Sequence, residues 1–190
     1  GLGNLGRRFC DLLVDKAPLL AARYGLELTL VGAADSGGSA YAREGLDPAH
    51  VAAIKRGGES VANLPGVGRP GRPALELVEE AEADLLREAS PVNLDRGAEP
   101  GLSHVRTALR RGLHVVTPNK GPLVVAYREL HDLAARQGVA LRFDGTVAGG
   151  LPALNLGRRD MRGATVERIE AVPNLCTGYV MDLLAGGSSW

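Results

Sequence analysis

Near its start the chain carries apolar residues at mostly helical spacing: Leu5, Phe9, Leu12, Leu13, Leu19 and Leu20. That stripe predicts a helix over residues 5–24, with Gly25 as its stop. Residues 26–34 (LELTLVGAA) predict a buried strand ending at Asp35. Asp47 stands as an N-cap before Pro48 at the first helical position, so a short helix runs to Arg56. Residues 57–72 are rich in glycine and proline and read as a surface loop. A helix over 74–81 follows, then a strand over 83–89 that ends near Ser90.

The same rhythm returns in the second half. Pro100 and Gly101 lead a helix to Arg111, capped by Gly112, and residues 114–117 form a short strand. Pro122 opens a helix to Gln137, capped by Gly138, and residues 139–143 form another strand. Strands alternating with helices across short turns predict an α/β fold, a parallel sheet with helices on both faces. After Thr146 the texture changes. Residues 149–152 start a helix, residues 165–172 alternate like a strand with one polar face, and residues 174–184 read as a loop leading into a helix. The expected organisation is one domain over 1–146 and only the opening of a second over 147–190.

Composition narrows the partners. With 22 basic and 22 acidic residues the chain has no electrostatic footprint for nucleic acid or an anionic membrane. No apolar run approaches the roughly 20 residues of a membrane span. Cys10 and Cys176 lack metal-type spacing, which favours a reduced, cytoplasmic setting.

The chemistry begins at the first residue. Gly1-Leu2-Gly3-Asn4-Leu5-Gly6 is a complete G-x-G-x-x-G. Its first glycine permits a tight turn, its second clears the approach of a pyrophosphate, and its third allows close packing of helix on strand. The motif usually follows a strand, and none precedes it here, so a piece of something longer is expected. Asp35, 29 positions beyond Gly6, is placed either to accept hydrogen bonds from an adenosine ribose or to cap the turn before Gly37 and Gly38. A ribose contact there favours NAD over NADP, unless Arg43 reaches the site. The competing phosphate loop, G-x-x-x-x-G-K-[ST], is absent. His50, His104, His114 and His131 fall on separate elements and read as surface or packing residues, and Cys10 as core.

Two further clusters lie at strand ends, where open α/β sheets bind ligands. Thr117-Pro118-Asn119-Lys120-Gly121-Pro122 sets a polar trio between two prolines. Only Lys16, Lys55 and Lys120 are lysines in a chain that otherwise writes arginine, which marks Lys120 as a compact, deprotonatable amine. An amine there can bind a carboxylate or hydroxyl, or transfer a proton. The segment from Asp144 to Pro152 combines one carboxylate with a glycine-rich turn, suited to a hard cation or to nothing more than a turn.

Together GLGNLG, AADSGG, the long segment from EASPVN to TPNKGPLV, RFDGTVAGGLPALN and VERIEAVPN resemble homoserine dehydrogenase, in the same order and over nearly the whole chain. The resemblance implies a Rossmann-like doubly wound parallel sheet followed by the beginning of a second α/β domain that also dimerises. It implies interconversion of L-homoserine and L-aspartate 4-semialdehyde with NAD or NADP, in threonine and methionine biosynthesis. Carried over by position, Leu2, Gly3, Asn4 and Leu5 of the Gly1–Gly6 motif would line the pyrophosphate. Ser90 and Thr117 would lie near the nicotinamide half, with Lys120 as the active-site lysine. Asp144, where the family usually has glutamate, would join the carbonyls of Val147, Gly149 and Leu151 around a monovalent cation, Na or K. Residues 174–179 (NLCTGY) depart from the family's N-G-T-x-N-Y, and its substrate-binding acids lie beyond residue 190. The 190 residues alone are therefore expected to bind dinucleotide weakly and turn over little. Two alternatives stand beside this: another NAD(P)-dependent semialdehyde or amino-acid dehydrogenase, and a non-catalytic NAD(P)-binding module.

Overall fold

The computed structural model describes residues 1–149, 151–170 and 175–187. They divide into two compact units, Gly1–Arg142 and Phe143–Trp190.

In the first unit the opening helix is two helices, α1 (Asn4–Asp15) and α2 (Ala17–Tyr24), with Lys16 between them and Pro18 in the first turn of α2. Gly25 ends α2 in the left-handed conformation, φ 61°, as a C-cap glycine should. Only Gly32–Asp35 of the expected strand pairs, as β1, and it does so antiparallel with β2 (Gly38–Tyr41) across a two-residue turn. β2 in turn pairs antiparallel with β3 (Gly68–Pro70). Residues 26–31 lack a ladder because their neighbours on one side are single hydrogen bonds from Ala42 and Leu46, and on the other an apolar cavity of about 360 Å³. Leu28, Leu30, Leu77 and Leu86 are among its lining residues, and it separates this segment from residues 82–88.

Asp47 caps α3 (Pro48–Arg56) by accepting the Ala49 N–H at 2.9 Å. The stretch expected to be a surface loop is partly core: Val61, Ala62 and Leu64 are buried, and Val61 and Leu64 pack with Cys10, Ala33, Ala40 and Val51. Its glycines and prolines made it look solvated, yet three apolar side chains there are enough to draw the backbone inward.

The second sheet is parallel. β4 (Leu85–Arg87), β5 (His114–Val116) and β6 (Leu141–Arg142) are hydrogen-bonded in that order, with Leu86 opposite Val115 and Val115 opposite Leu141. α4 (Ala74–Glu80) precedes β4, and α5 (Gly101–Arg110) and α6 (Lys120–Gln137) are the crossovers that parallel pairing requires. Val105, Ala108, Leu109, Val115, Leu130 and Ala134 are buried at their centre. The parallel β/α architecture is thus the expected one, while the segment ending at Asp35 joins a hairpin instead. In the second unit, residues 153–155 form α7, residues 156–160 continue it as a wider turn, and Leu175–Ala185 form α8. Residues 165–170 form no strand, and the rest of that expected strand, with Asn174, lies outside the described residues. Among the described residues no helix is long and apolar enough to cross a membrane.

Candidate functional site

The glycine motif forms the turn into α1. Gly3 is the N-cap, and the Arg7 N–H donates to its carbonyl at 3.0 Å. The N–H groups before Arg7 have no intrahelical acceptor, which makes this helix start an anion seat by its own geometry. The three glycines differ in what surrounds them. A Cβ on Gly1 would stand 2.3 Å from the Ala89 carbonyl oxygen, and one on Gly6 would stand 2.4 Å from that of Gly1. A Cβ on Gly3 would meet nothing within 4 Å. Two glycines are demanded by packing, and the middle one borders open space. That combination fits a pyrophosphate cradle.

Asp35 lies at the end of β1 with its carboxylate already engaged. It takes Lys55 Nζ at 2.7 Å, the Ser60 hydroxyl at 2.7 Å, and the N–H groups of Gly37 and Val61 at 2.9 and 3.1 Å. Burial works to raise its pKa, but these donors outweigh it and hold the carboxyl below the usual range. The N–H of Gly37 is a turn contact, so the structure carries the turn-capping reading of Asp35. Arg43 pairs instead with Glu82 at 2.9 Å.

The strand ends beside the glycine turn carry a polar cluster that includes Ser90, Thr117 and Asn119. The Asn119 side chain accepts the Gly121 N–H at 3.0 Å and so caps α6. The helix therefore begins at Lys120, two residues before Pro122, where a proline costs nothing because its missing N–H would have no partner. Lys120 is exposed on the first turn rather than in a loop.

Glu88 and His104 were not singled out by sequence reasoning as site residues. Glu88 is 2 % exposed, accepts the Ser90 N–H at 2.6 Å and the Thr117 hydroxyl at 3.4 Å, and faces His104 Nδ1 at 3.7 Å. Burial alone would raise its pKa, but contacts from His104, Ser90 and Asn119 bring it down to about 2. The available signal was an acid set at the end of an apolar strand, where an unpaired charge is too costly to keep. Among the other histidines, His50 is exposed, His114 accepts the Ala140 N–H at 2.9 Å, and His131 lies 5.9 Å from the Tyr127 ring.

Asp144, Val147, Gly149 and Leu151 belong to the second unit. Asp144 opens a short turn over Asp144–Thr146 and is exposed, and Ala148 and Gly149 follow with φ of 55° and 60°. Among the described residues no group of three or more histidine, cysteine or acidic side chains gathers around a metal-sized space.

Comparison with known proteins adds the family. A family model described as "Homoserine dehydrogenase, NAD binding domain" matches residues 1–144. A homoserine dehydrogenase of Methanocaldococcus jannaschii is 32% identical over 95% of this chain and 53% of its own length. An NAD(+)-dependent homoserine dehydrogenase of Pseudomonas canavaninivorans is 32% identical over 98% of this chain and 53% of its own. Among solved structures, a hyperthermophilic archaeal homoserine dehydrogenase in complex with NADPH superposes with a TM-score of 0.82 at 26% identity, covering 100% of this chain and 56% of that one. The chain spans about half the length of the relatives it matches.

Proposed function

The chain belongs to the homoserine dehydrogenase family through its NAD-binding domain, and from that premise we propose that it is the cofactor-binding part of an enzyme that interconverts L-homoserine and L-aspartate 4-semialdehyde with NAD or NADP. The observation that carries this reading is the open space at Gly3 between two glycines held by close packing. When bound, the nicotinamide ring supplies the acceptor or donor of a hydride. Everything else falls to the chain. The residues of the Gly1–Gly6 turn receive the pyrophosphate, and Asp35 faces the ribose of the adenosine half. Ser90 and Thr117 border the nicotinamide half. Lys120 either takes the hydroxyl proton at Nζ and returns it in the reverse direction, or orients the substrate oxygen as an ammonium.

The second unit is the start of the substrate and dimerisation domain, with Asp144 and the carbonyls of Val147, Gly149 and Leu151 as the seat of a monovalent cation. The enzyme works in the cytoplasm as a homodimer. Titration of the 190-residue chain with NADH and NADPH, followed by fluorescence, tests the cofactor assignment: saturable binding of either supports it and binding of neither overturns it. In a longer protein carrying this segment, Lys120→Ala should lower the homoserine-dependent rate by about 100-fold or more. Saturable binding with no homoserine-dependent rate in the unaltered protein would identify a sensing module instead.

A further inference from the structure

We propose that Glu88 is a positioning residue, whose carboxylate closes a hydrogen-bonded ring that fixes Ser90, Thr117 and the start of α6 for the nicotinamide half of the dinucleotide. The inference rests on the reading of Ser90 and Thr117 given above.

The ring can be followed bond by bond. Glu88 Oε1 accepts the Ser90 N–H at 2.6 Å, and the Ser90 carbonyl accepts Asn119 Nδ2 at 3.2 Å. The Asn119 N–H donates to Thr117 Oγ1 at 3.0 Å, and that hydroxyl donates to Glu88 Oε2 at 3.4 Å. Four residues from the ends of two neighbouring strands thus lock one another, beyond the last ladder pair of Arg87 with Val116. A branch leaves the ring where Asn119 Oδ1 accepts the Gly121 N–H, which sets the first turn of α6 and with it Lys120.

The surroundings allow the ring little freedom. Glu88, Thr117 and Asn119 are 2 %, 1 % and 3 % exposed. A Cβ on Gly101, at the start of α5, would stand 2.5 Å from Asn119 Nδ2 and 3.1 Å from Ser90 Oγ. Gly1 lies against Ala89 and Ser90, so the pyrophosphate turn and the ring share a wall.

A buried carboxylate is a poor device for stability alone, because an apolar side chain of similar size often does as well. What the carboxylate provides is two acceptors in one plane. They hold the backbone that follows β4 and the hydroxyl that follows β5 at once. In an open α/β sheet the pyrophosphate sits at the helix start and the two halves of the dinucleotide spread over strands on either side. Asp35 marks one side, and the ring lies on the other.

The test compares NADH with ADP-ribose, which lacks only the nicotinamide ring, by calorimetry on the 190-residue chain. Glu88→Gln should weaken NADH by roughly tenfold and leave ADP-ribose within about twofold. The Ser90 amide proton, donated to a carboxylate, should resonate well downfield in the unaltered protein and move upfield in the variant. Thr117→Val should give the same split and Thr117→Ser should restore NADH affinity, which keeps the test open should Glu88→Gln fail to fold. Equal loss of both ligands would mark Glu88 as structural only, and unchanged affinity for both would remove its role; either result overturns the proposal. An unaltered chain that binds ADP-ribose no better than it binds NADH, with no saturation by either, would overturn the cofactor assignment itself. The Ser90 resonance would still report on the ring.

Discussion

Acidification should expose how much of the first unit's stability depends on Glu88. Its carboxyl has a pKa of about 2 in the folded chain against an ordinary 4.5. The folded value is depressed, so the stabilisation is fully present above the ordinary pKa and is lost as pH falls through 4.5 towards 2. A displacement of that size corresponds to about 3 kcal/mol. With its side chain 1 % exposed, Glu88 suffers little of the solvent screening that discounts surface pairs. The assay is urea unfolding followed by far-UV circular dichroism between pH 7 and 2, on the unaltered chain and on Glu88→Gln. Asp35 and Asp11, also held below the usual carboxylate range, contribute equally to both and cancel in the difference. The stability difference should be about 3 kcal/mol near neutrality and shrink towards zero by about pH 2. A difference that does not change with pH would refute the reasoning, because the charge would then have no part in it.

Two further variants probe the scaffold. Leu109→Ala removes a fully buried side chain of the crossover helix α5 and should cost about 2–5 kcal/mol in urea unfolding without changing the helical signal of the folded chain. Asp47→Ala removes the acceptor of the Ala49 N–H at the head of α3 and should cost about 1 kcal/mol by the same measurement.

Much of the fold was legible because short-range chemistry decided it. Gly25 and Gly138 end helices in the left-handed conformation, and Asp47 and Pro48 start one, all by rules that need only neighbouring residues. The failures come from long-range partners. Residues 26–31 have the composition of a strand but no ladder beside them, and Ser36 and Gly37 turn the chain back so that β1 pairs with β2. Residues 57–72 look like a solvated loop until Val61 and Leu64 meet Cys10 and Val51. Of the candidate site, the turn at Gly1–Gly6 and the strand-end position of Thr117 were visible in spacing alone. The place of Lys120 on a helix was not, because it depends on which way the Asn119 side chain turns. Glu88 was hidden more deeply, since an acid's value as a double acceptor appears only when Thr117, distant in sequence, is brought beside it and its neighbour Ser90.

The central claim is that the turn at Gly3 receives the pyrophosphate of a dinucleotide, and Gly3→Ala tests it most directly. A methyl group there meets no protein atom within 4 Å, so the variant should fold, losing no more than about 1 kcal/mol because alanine is a poorer N-cap than glycine. Placed where phosphate approaches, the same methyl group should weaken NADH by about tenfold or more. A variant that folds and binds NADH as tightly as before would contradict the account.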